Sequence, residues 1–347
     1  MDSVELAAAI RRWGQELGFS AVGFAGVELG PAEQRLAQWL AQGRHGEMDY
    51  MARHGATRAR PADLLPGTAS VICVRLPYLD DAGAAAEVLG DTALGYVSRY
   101  ALGRDYHKVL RRKLQALATR IEAMVGPYRY RAYTDSAPVM EVELARLAGL
   151  GWRGKHTLLL SRRGSWFFLG ELFTDLDLPP DAAPAEHCGR CTRCIAACPT
   201  GAIVAPYELD ARLCISYLTI ELAGSIPESL RPLIGNRIYG CDDCQLVCPW
   251  NHHADVPPAP EFAPRAGLAA SRLVELFAWS AQEFDDRTAG SPIRRIGYER
   301  WLRNIAVALG NAAPAPDIRA ALASRAGHDS ALVREHVAWA LGRQAAA

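Results

Sequence analysis

Cys188-Gly189-Arg190-Cys191-Thr192-Arg193-Cys194-Ile195-Ala196-Ala197-Cys198-Pro199 spells C-x2-C-x2-C-x3-C-P. In that spacing three thiolates wrap one iron–sulfur cubane and the fourth reaches a second cubane. Further along, Cys241, Cys244, Cys248 and Pro249 repeat the last three cysteines and the proline, with Ile238 where a first cysteine would stand. Cys214, 27 residues before Cys241, is the nearby thiol left to complete that half. The expected sites are Cys188, Cys191 and Cys194 with Cys248, and Cys214, Cys241 and Cys244 with Cys198. Structural zinc also uses C-x2-C pairs, but it has no need of a third cysteine or of the proline. The block therefore predicts a ferredoxin-like fold around two 4Fe–4S clusters. The ninth cysteine, Cys73, falls within a predicted strand and reads as a small core residue.

Working outward, two clusters alone make an electron carrier, which accounts for a minor part of 347 residues. The electrons need a destination. Half the residues are hydrophobic and 22% are charged, which excludes a disordered or collagen-like chain. No 18-residue apolar run is present, and the acidic start Met1-Asp2-Ser3-Val4-Glu5 lacks an export signal. A reducing cytoplasmic setting follows as an expectation, and there crowded cysteines bind metal more often than they pair.

Ahead of the block, helices are expected over 3–17, 32–42, 104–125 and 139–148, and strands over 70–76, 128–133, 156–161 and 166–169. This alternation predicts one α/β domain reaching about residue 172. Residues 175–187 are rich in proline and carry only acidic charge, so they read as a linker. A second proline-rich break, Val256-Pro257-Pro258-Ala259-Pro260, precedes a helical C-terminus. There the pattern around Arg303–Gly310 recurs 32 residues later at Glu335–Gly342, a weak helical repeat.

Two near-motifs mislead. Gly149-Leu150-Gly151-Trp152-Arg153-Gly154 satisfies G-x-G-x-x-G, but a helix precedes it and a strand follows, the reverse of a phosphate-binding loop. Asp105-Tyr106-His107-Lys108-Val109-Leu110 resembles the D-x-H-x-x-G run of some corrinoid proteins, but Leu110 replaces the glycine. Tyr106 and His107 are accordingly expected on an ordinary helix face.

The 38 basic and 38 acidic residues sum to zero, which at first argues against a nucleic-acid partner. By segment the charge is +7 over 99–131, −5 over 171–187 and +4 over 287–303. Two basic stretches could track phosphates, and ordinary solvated helix faces are the plainer reading.

Together these residues resemble the epoxyqueuosine reductase family over nearly the whole chain. The resemblance is carried by Ser98-Arg99-Tyr100-Ala101-Leu102-Gly103-Arg104-Asp105-Tyr106-His107, by Tyr133-Thr134-Asp135-Ser136-Ala137-Pro138-Val139 and by Gly151–Thr157. It continues through Gly170-Glu171-Leu172, the eight-cysteine block with Cys248-Pro249-Trp250-Asn251, and Ser291-Pro292 to Arg303-Asn304. It implies a cobalamin-dependent enzyme that reduces epoxyqueuosine to queuosine at the wobble base of tRNA.

The implied α+β multidomain architecture is a cobalamin-binding α/β domain (1–174), a ferredoxin-like two-cluster domain (175–260) and a C-terminal helical HEAT-like repeat (261–347). Asp135 matches the family's proton donor. Proximity to matched motifs nominates Lys155, His156, Thr157, Ser216 and Asp242 for cobalamin, and the basic face nominates Arg294, Arg295 and Arg303 for the anticodon stem. A monomer served by an external low-potential electron donor completes the expectation. A reductive dehalogenase-like corrinoid reductase, or a ferredoxin-like module fused to a scaffold, are the competing readings.

Overall fold

The computed structural model describes residues 2–79, 82–252 and 259–346. Helix α1 (Ser3–Glu16) starts at a capping box in which Asp2 accepts from the Glu5 amide and the Glu5 carboxyl accepts from the Asp2 amide. Strand β1 (Ala21–Ala25), helix α2 (Ala32–Ala41), short helices α3 (Asp49–Arg53) and α4 (Pro61–Leu64), strand β2 (Ser70–Pro77) and helix α5 (Ala82–Gly90) follow. Then come β3 (Tyr96–Val97), the long α6 (Tyr106–Val125), β4 (Tyr130–Tyr133), α7 (Glu141–Leu147), β5 (Trp152–Arg153), β6 (Leu159–Leu160) and β7 (Phe167–Thr174).

The main sheet has the order β1-β2-β7-β4, and all three pairings are antiparallel. An α/β alternation implies parallel strands; the hydrogen-bonded register makes this sheet antiparallel instead. One face of the sheet is covered by α1 and α6, where Val109, Leu110, Leu114, Leu117 and Ile121 form a single apolar stripe. The other face packs against α7 through Val71, Cys73, Tyr133 and Phe173, so Cys73 is the core residue expected. Gly23 makes that packing possible: a Cβ there would lie 2.0 Å from the Ala148 carbonyl oxygen at the end of α7. The 156–161 strand is shorter than expected, because Lys155–Leu158 form the turn of the β5–β6 hairpin.

The acidic 175–187 segment is tied down rather than loose. Asp181 accepts from Arg11 at 2.6 Å and from the Phe24 amide at 2.9 Å, and Asp175 accepts from the Arg129 side chain at 3.1 Å. The cysteine block carries α8 (Arg193–Ala197), the β8–β9 hairpin (Ile203–Ala205, Glu208–Leu209), a π-helical turn at Tyr217–Glu221, α9 (Arg231–Ile234), β10 (Arg237–Tyr239) and α10 (Asp243–Leu246). Strand β10 pairs in parallel with β3, so the block is hydrogen-bonded to a segment from far earlier in the chain.

At that seam Asp242, fully buried, accepts from the Tyr96 hydroxyl and the Ser98 hydroxyl, both at 2.6 Å, and from the Arg99 amide at 2.8 Å. Of the second proline-rich break, Val256 to Pro258 lie outside the described residues. Helices α11 (Leu273–Ala278), α12 (Ala281–Arg287), α13 (Gly297–Asn311), α14 (Pro316–Ala323) and α15 (Ala331–Ala346) complete the chain. The two copies of the sequence repeat lie on α13 and α15, which pack so closely that a Cβ on Gly310 would sit 2.5 Å from the Trp339 ring.

Arg303 corrects an expectation. Its guanidinium is fully buried and donates to the carbonyls of Leu218, Leu222 and Gly224 at 2.6–2.8 Å, so it ties α13 to the cysteine block and offers nothing to a phosphate. Residues 301–310 of helix α13 are all buried, and a cation in that setting must spend its donors on carbonyls.

Candidate active site

A cavity of about 760 Å³ opens between the sheet's helical cover and the cysteine block. Its walls are the outer face of α2 with Arg35 and Trp39, then Tyr50 and Arg58, the segment from Asp135 to Glu143, Thr157, Tyr207–Leu209, Glu221 and Arg295. Of the four described non-glycine residues with left-handed backbone, three line it: Asp135 at φ +29°, Thr157 at +74° and Tyr207 at +69°. Conformations of this kind cost free energy and concentrate where a site needs them.

Asp135 is delivered by the end of β4, with about half its side chain (49%) exposed to the cavity. Helix α6 brings two donors to it. The Tyr106 hydroxyl donates to Oδ2, and His107 Nε2 lies 3.3 Å from the same oxygen. Asp105, the N-cap of α6, also takes the other imidazole nitrogen, with Nδ1 to Oδ1 at 2.8 Å. Tyr106 is fixed by stacking on Phe168, ring centres 4.2 Å apart.

Burial works against a charged His107, but the carboxylates of Asp105 and Asp135 outweigh it and push its pKa up to about 9. Burial likewise raises Asp135, and the donors His107 and Tyr106 more than reverse this, so its pKa falls below the usual carboxylate range. At neutral pH the pair holds one proton on the imidazole, in contact with an ionised carboxylate facing the cavity. Tyr106 and His107, read in the sequence as ordinary helix-face residues, are therefore partners of Asp135.

Behind the loop, the Asp135 amide donates to Glu141 Oε1. Glu171, opposite Tyr133 and Cys73 in the sheet, is fully buried and neither carboxyl oxygen finds a donor.

The nominated cofactor residues separate. Thr157 lines the cavity. Lys155 instead clamps the first cysteine loop, its Nζ donating to Gly189 O at 2.7 Å and Cys191 O at 2.9 Å. His156 is buried, with Nδ1 accepting from the Leu158 amide and Nε2 unpartnered, and burial holds its pKa down to about 4. Ser216 sits beside Cys214 and bonds its sulfur, and Asp242 is consumed at the seam. Arg295 lines the cavity and pairs with Glu221 at 2.8 Å, and Arg294 lies exposed and pairs with Asp285 at 3.3 Å.

Neighbouring cysteines show in one another's electrostatics, Cys214, Cys194 and Cys198 all acting on the buried Cys244. Burial raises the thiol of Cys248, and Cys188, Cys194 and Cys191 add to it; burial also raises Cys214, and Cys198 adds to it. Thiolates gathered this way repel one another unless a cationic core sits among them, which is what a cluster supplies. The Ala202 amide also donates to Cys198 Sγ at 3.2 Å, a bond suited to a ligating thiolate. Cys191 is exposed, whereas Cys214 and Cys241 pack in an apolar group that includes the cavity residue Trp39.

Comparison with known proteins matches residues 187–251 to a 4Fe-4S double cluster binding domain and residues 58–136 to the epoxyqueuosine reductase QueG family. The epoxyqueuosine reductase of Burkholderia pseudomallei (strain K96243) is 60% identical, over 97% of this chain and 92% of its own length. Two solved structures match at 29% identity and a TM-score of 0.88, each over 99% of this chain and 91% of theirs. One is an epoxyqueuosine reductase with an epoxyqueuosine-modified tRNA-Tyr stem loop. The other, from Bacillus subtilis, has its aspartate-bearing catalytic loop swung out of the active site. With 60% identity to a curated relative over nearly the full length of both chains and a fold that solved structures match throughout, the chain belongs to the epoxyqueuosine reductase family.

Proposed function

We propose that this protein reduces epoxyqueuosine to queuosine at the wobble position of tRNA, using cobalamin in the 760 Å³ cavity and electrons passed through two 4Fe–4S clusters. The observation that carries the reading is Asp135, held on the cavity wall by Tyr106 and His107. The walls suit a large, partly polar cofactor: Arg58 lines the cavity and its Nε is buried without a partner, and the left-handed turns at Thr157 and Tyr207 place backbone along the same wall. Arg58, Thr157 and Tyr207 are the residues assigned to hold it. Bound there, cobalamin supplies two-electron reduction at carbon or oxygen.

The chain's own part is proton delivery. Opening an epoxide takes two electrons and two protons and releases oxygen as water. Asp135 faces the position of the departing oxygen; ionised at rest, its Oδ2 takes the proton from His107 Nε2 and hands it on, with Asp105 steadying the imidazolium. Clusters held by the cysteine thiolates would supply the electrons, and the exposed Cys191 would mark the side open to an external low-potential donor. The Asp135 loop can swing out of the cavity, as the catalytic loop of the Bacillus subtilis relative is swung out of its active site. The flipped-out wobble base comes from a single-stranded anticodon loop, which lowers the cost of unstacking to a few kcal/mol or less.

The three units proposed are residues 1–174, 175–260 and 261–347, the last a HEAT-like repeat, in a monomer. Among the described residues no helix is long and apolar enough to cross a membrane. The test is conversion of an epoxyqueuosine-containing anticodon stem-loop under strong reductant, with and without cobalamin. Cobalamin-dependent conversion is expected, and none with both present overturns the proposal.

A further inference from the structure

We propose that Glu141 is the latch of the Asp135 loop, and that Glu171 behind it keeps the latch closed by sharing one proton with Glu141; this rests on Asp135 serving as the proton donor. Asp135 holds a left-handed backbone at φ +29°, which persists only where its surroundings over-determine it. Tyr106 and His107 fix its carboxyl, but the bond that fixes its backbone is the one from its amide to Glu141 Oε1. Glu141 is the first residue of α7, so it couples the loop to a rigid element packed on the sheet.

The second observation is Glu171. It is fully buried in the central strand β7, and neither of its oxygens meets a donor. An isolated carboxylate in that position would cost several kcal/mol. The group it faces is the carboxyl of Glu141, and two carboxyls bond each other only when one is protonated. The other titratable groups facing it are Cys73 across β2, Tyr133 across β4 and the carboxylate of Asp135, while the cations His107 and Arg295 act on Asp135 instead. On the side of α7 away from this pair, Glu143 is taken up by Arg146 and Arg35.

Burial raises both acids, Glu171 to about 8, so near neutrality the pair keeps one proton and Glu141 retains an oxygen for the Asp135 amide. Loss of that proton at alkaline pH places two anions in contact beside a third, and the repulsion releases the loop.

Hydrogen exchange on the full-length, cluster-loaded protein tests this, read as protection factors for the amides of residues 135–137 so that intrinsic base catalysis cancels. Between pH 6.5 and pH 9 the wild type is expected to lose protection by about ten-fold, and Glu171→Gln to stay flat, because a neutral amide has no second ionisation. Glu141→Ala is expected to lose protection already at pH 6.5, with kcat for the stem-loop down and KM unchanged, and Glu141→Gln to restore protection through its own carbonyl oxygen. Unchanged protection in Glu141→Ala, or an alkaline loss in Glu171→Gln equal to that of the wild type, overturns the latch. If Glu141→Ala does not fold, the Glu171→Gln pH comparison decides alone. A wild type that converts no epoxyqueuosine sinks the Asp135 assignment; conversion with unchanged exchange sinks only the latch.

Discussion

At the scale of single residues, chemistry here depends on where one proton rests. Asp135 stands out in the sequence by its motif, but its partners do not, because Asp105, Tyr106 and His107 meet it only once α6 is laid across the end of β4. A helix-face histidine has no sequence mark that says which carboxylate it will face. Two outcomes are expected for this pair. Asp135→Asn keeps iron and cobalamin and loses turnover, since the amide cannot hand on a proton; a fully active variant refutes the assignment. The wild type should lose turnover in two stages as pH rises, near 8 as the Glu141–Glu171 pair sheds its shared proton and frees the Asp135 loop, and near 9 as the imidazolium of His107 empties. The same sign holds for stability: the His107 pairing contributes in full below about pH 6.5 and is lost as pH climbs through 9. His107→Gln should abolish the stage near pH 9 of the stem-loop rate profile while leaving the one near 8, and an unaltered stage near 9 would assign it elsewhere.

At the scale of elements, legibility followed period and length. Helices α1, α2 and α6 and strand β2 have long, clean apolar patterns, and the structure reproduces them within a few residues. Strands β3 and β10 are two and three residues long and carry no period of their own; they exist because the Asp242 seam holds them together. Helix α13 shows how a pattern can mislead about a side chain. Its arginines look alike in sequence, but Arg303 points inward and satisfies three carbonyls of the cysteine block. Arg303→Ala leaves those carbonyls and the Asn304 side chain short of donors, so it should destabilise the fold by about 2–4 kcal/mol. Denaturant unfolding of the variant measures this, and a loss below 0.5 kcal/mol, the range of ordinary surface changes, would return Arg303 to the surface.

At the scale of the whole molecule, the zero net charge is a sum of opposite stretches, and the fold decides which of them remain available. The acidic 175–187 stretch is spent internally on Arg11 and Arg129, and the basic 99–131 stretch is partly spent on Glu16, Asp175 and Glu261. On the C-terminal stretch, Arg294 and Arg295 stay exposed beside the cavity that Arg295 helps to line, whereas Arg303 is enclosed. Each phosphate neutralised by an exposed cation releases counterions and adds close to one unit to the slope of log affinity against log salt. Binding of the anticodon stem-loop should therefore weaken steeply with salt. Arg294→Ala should lower affinity and flatten the slope by about one unit, while Arg303→Ala, where it folds, should leave the slope unchanged. The Arg294–Asp285 pair is exposed at 3.3 Å, so exchanging that carboxylate for a phosphate costs little. A slope that is flat in the wild type, or that Arg303→Ala alters and Arg294→Ala does not, would place the tRNA on a different face.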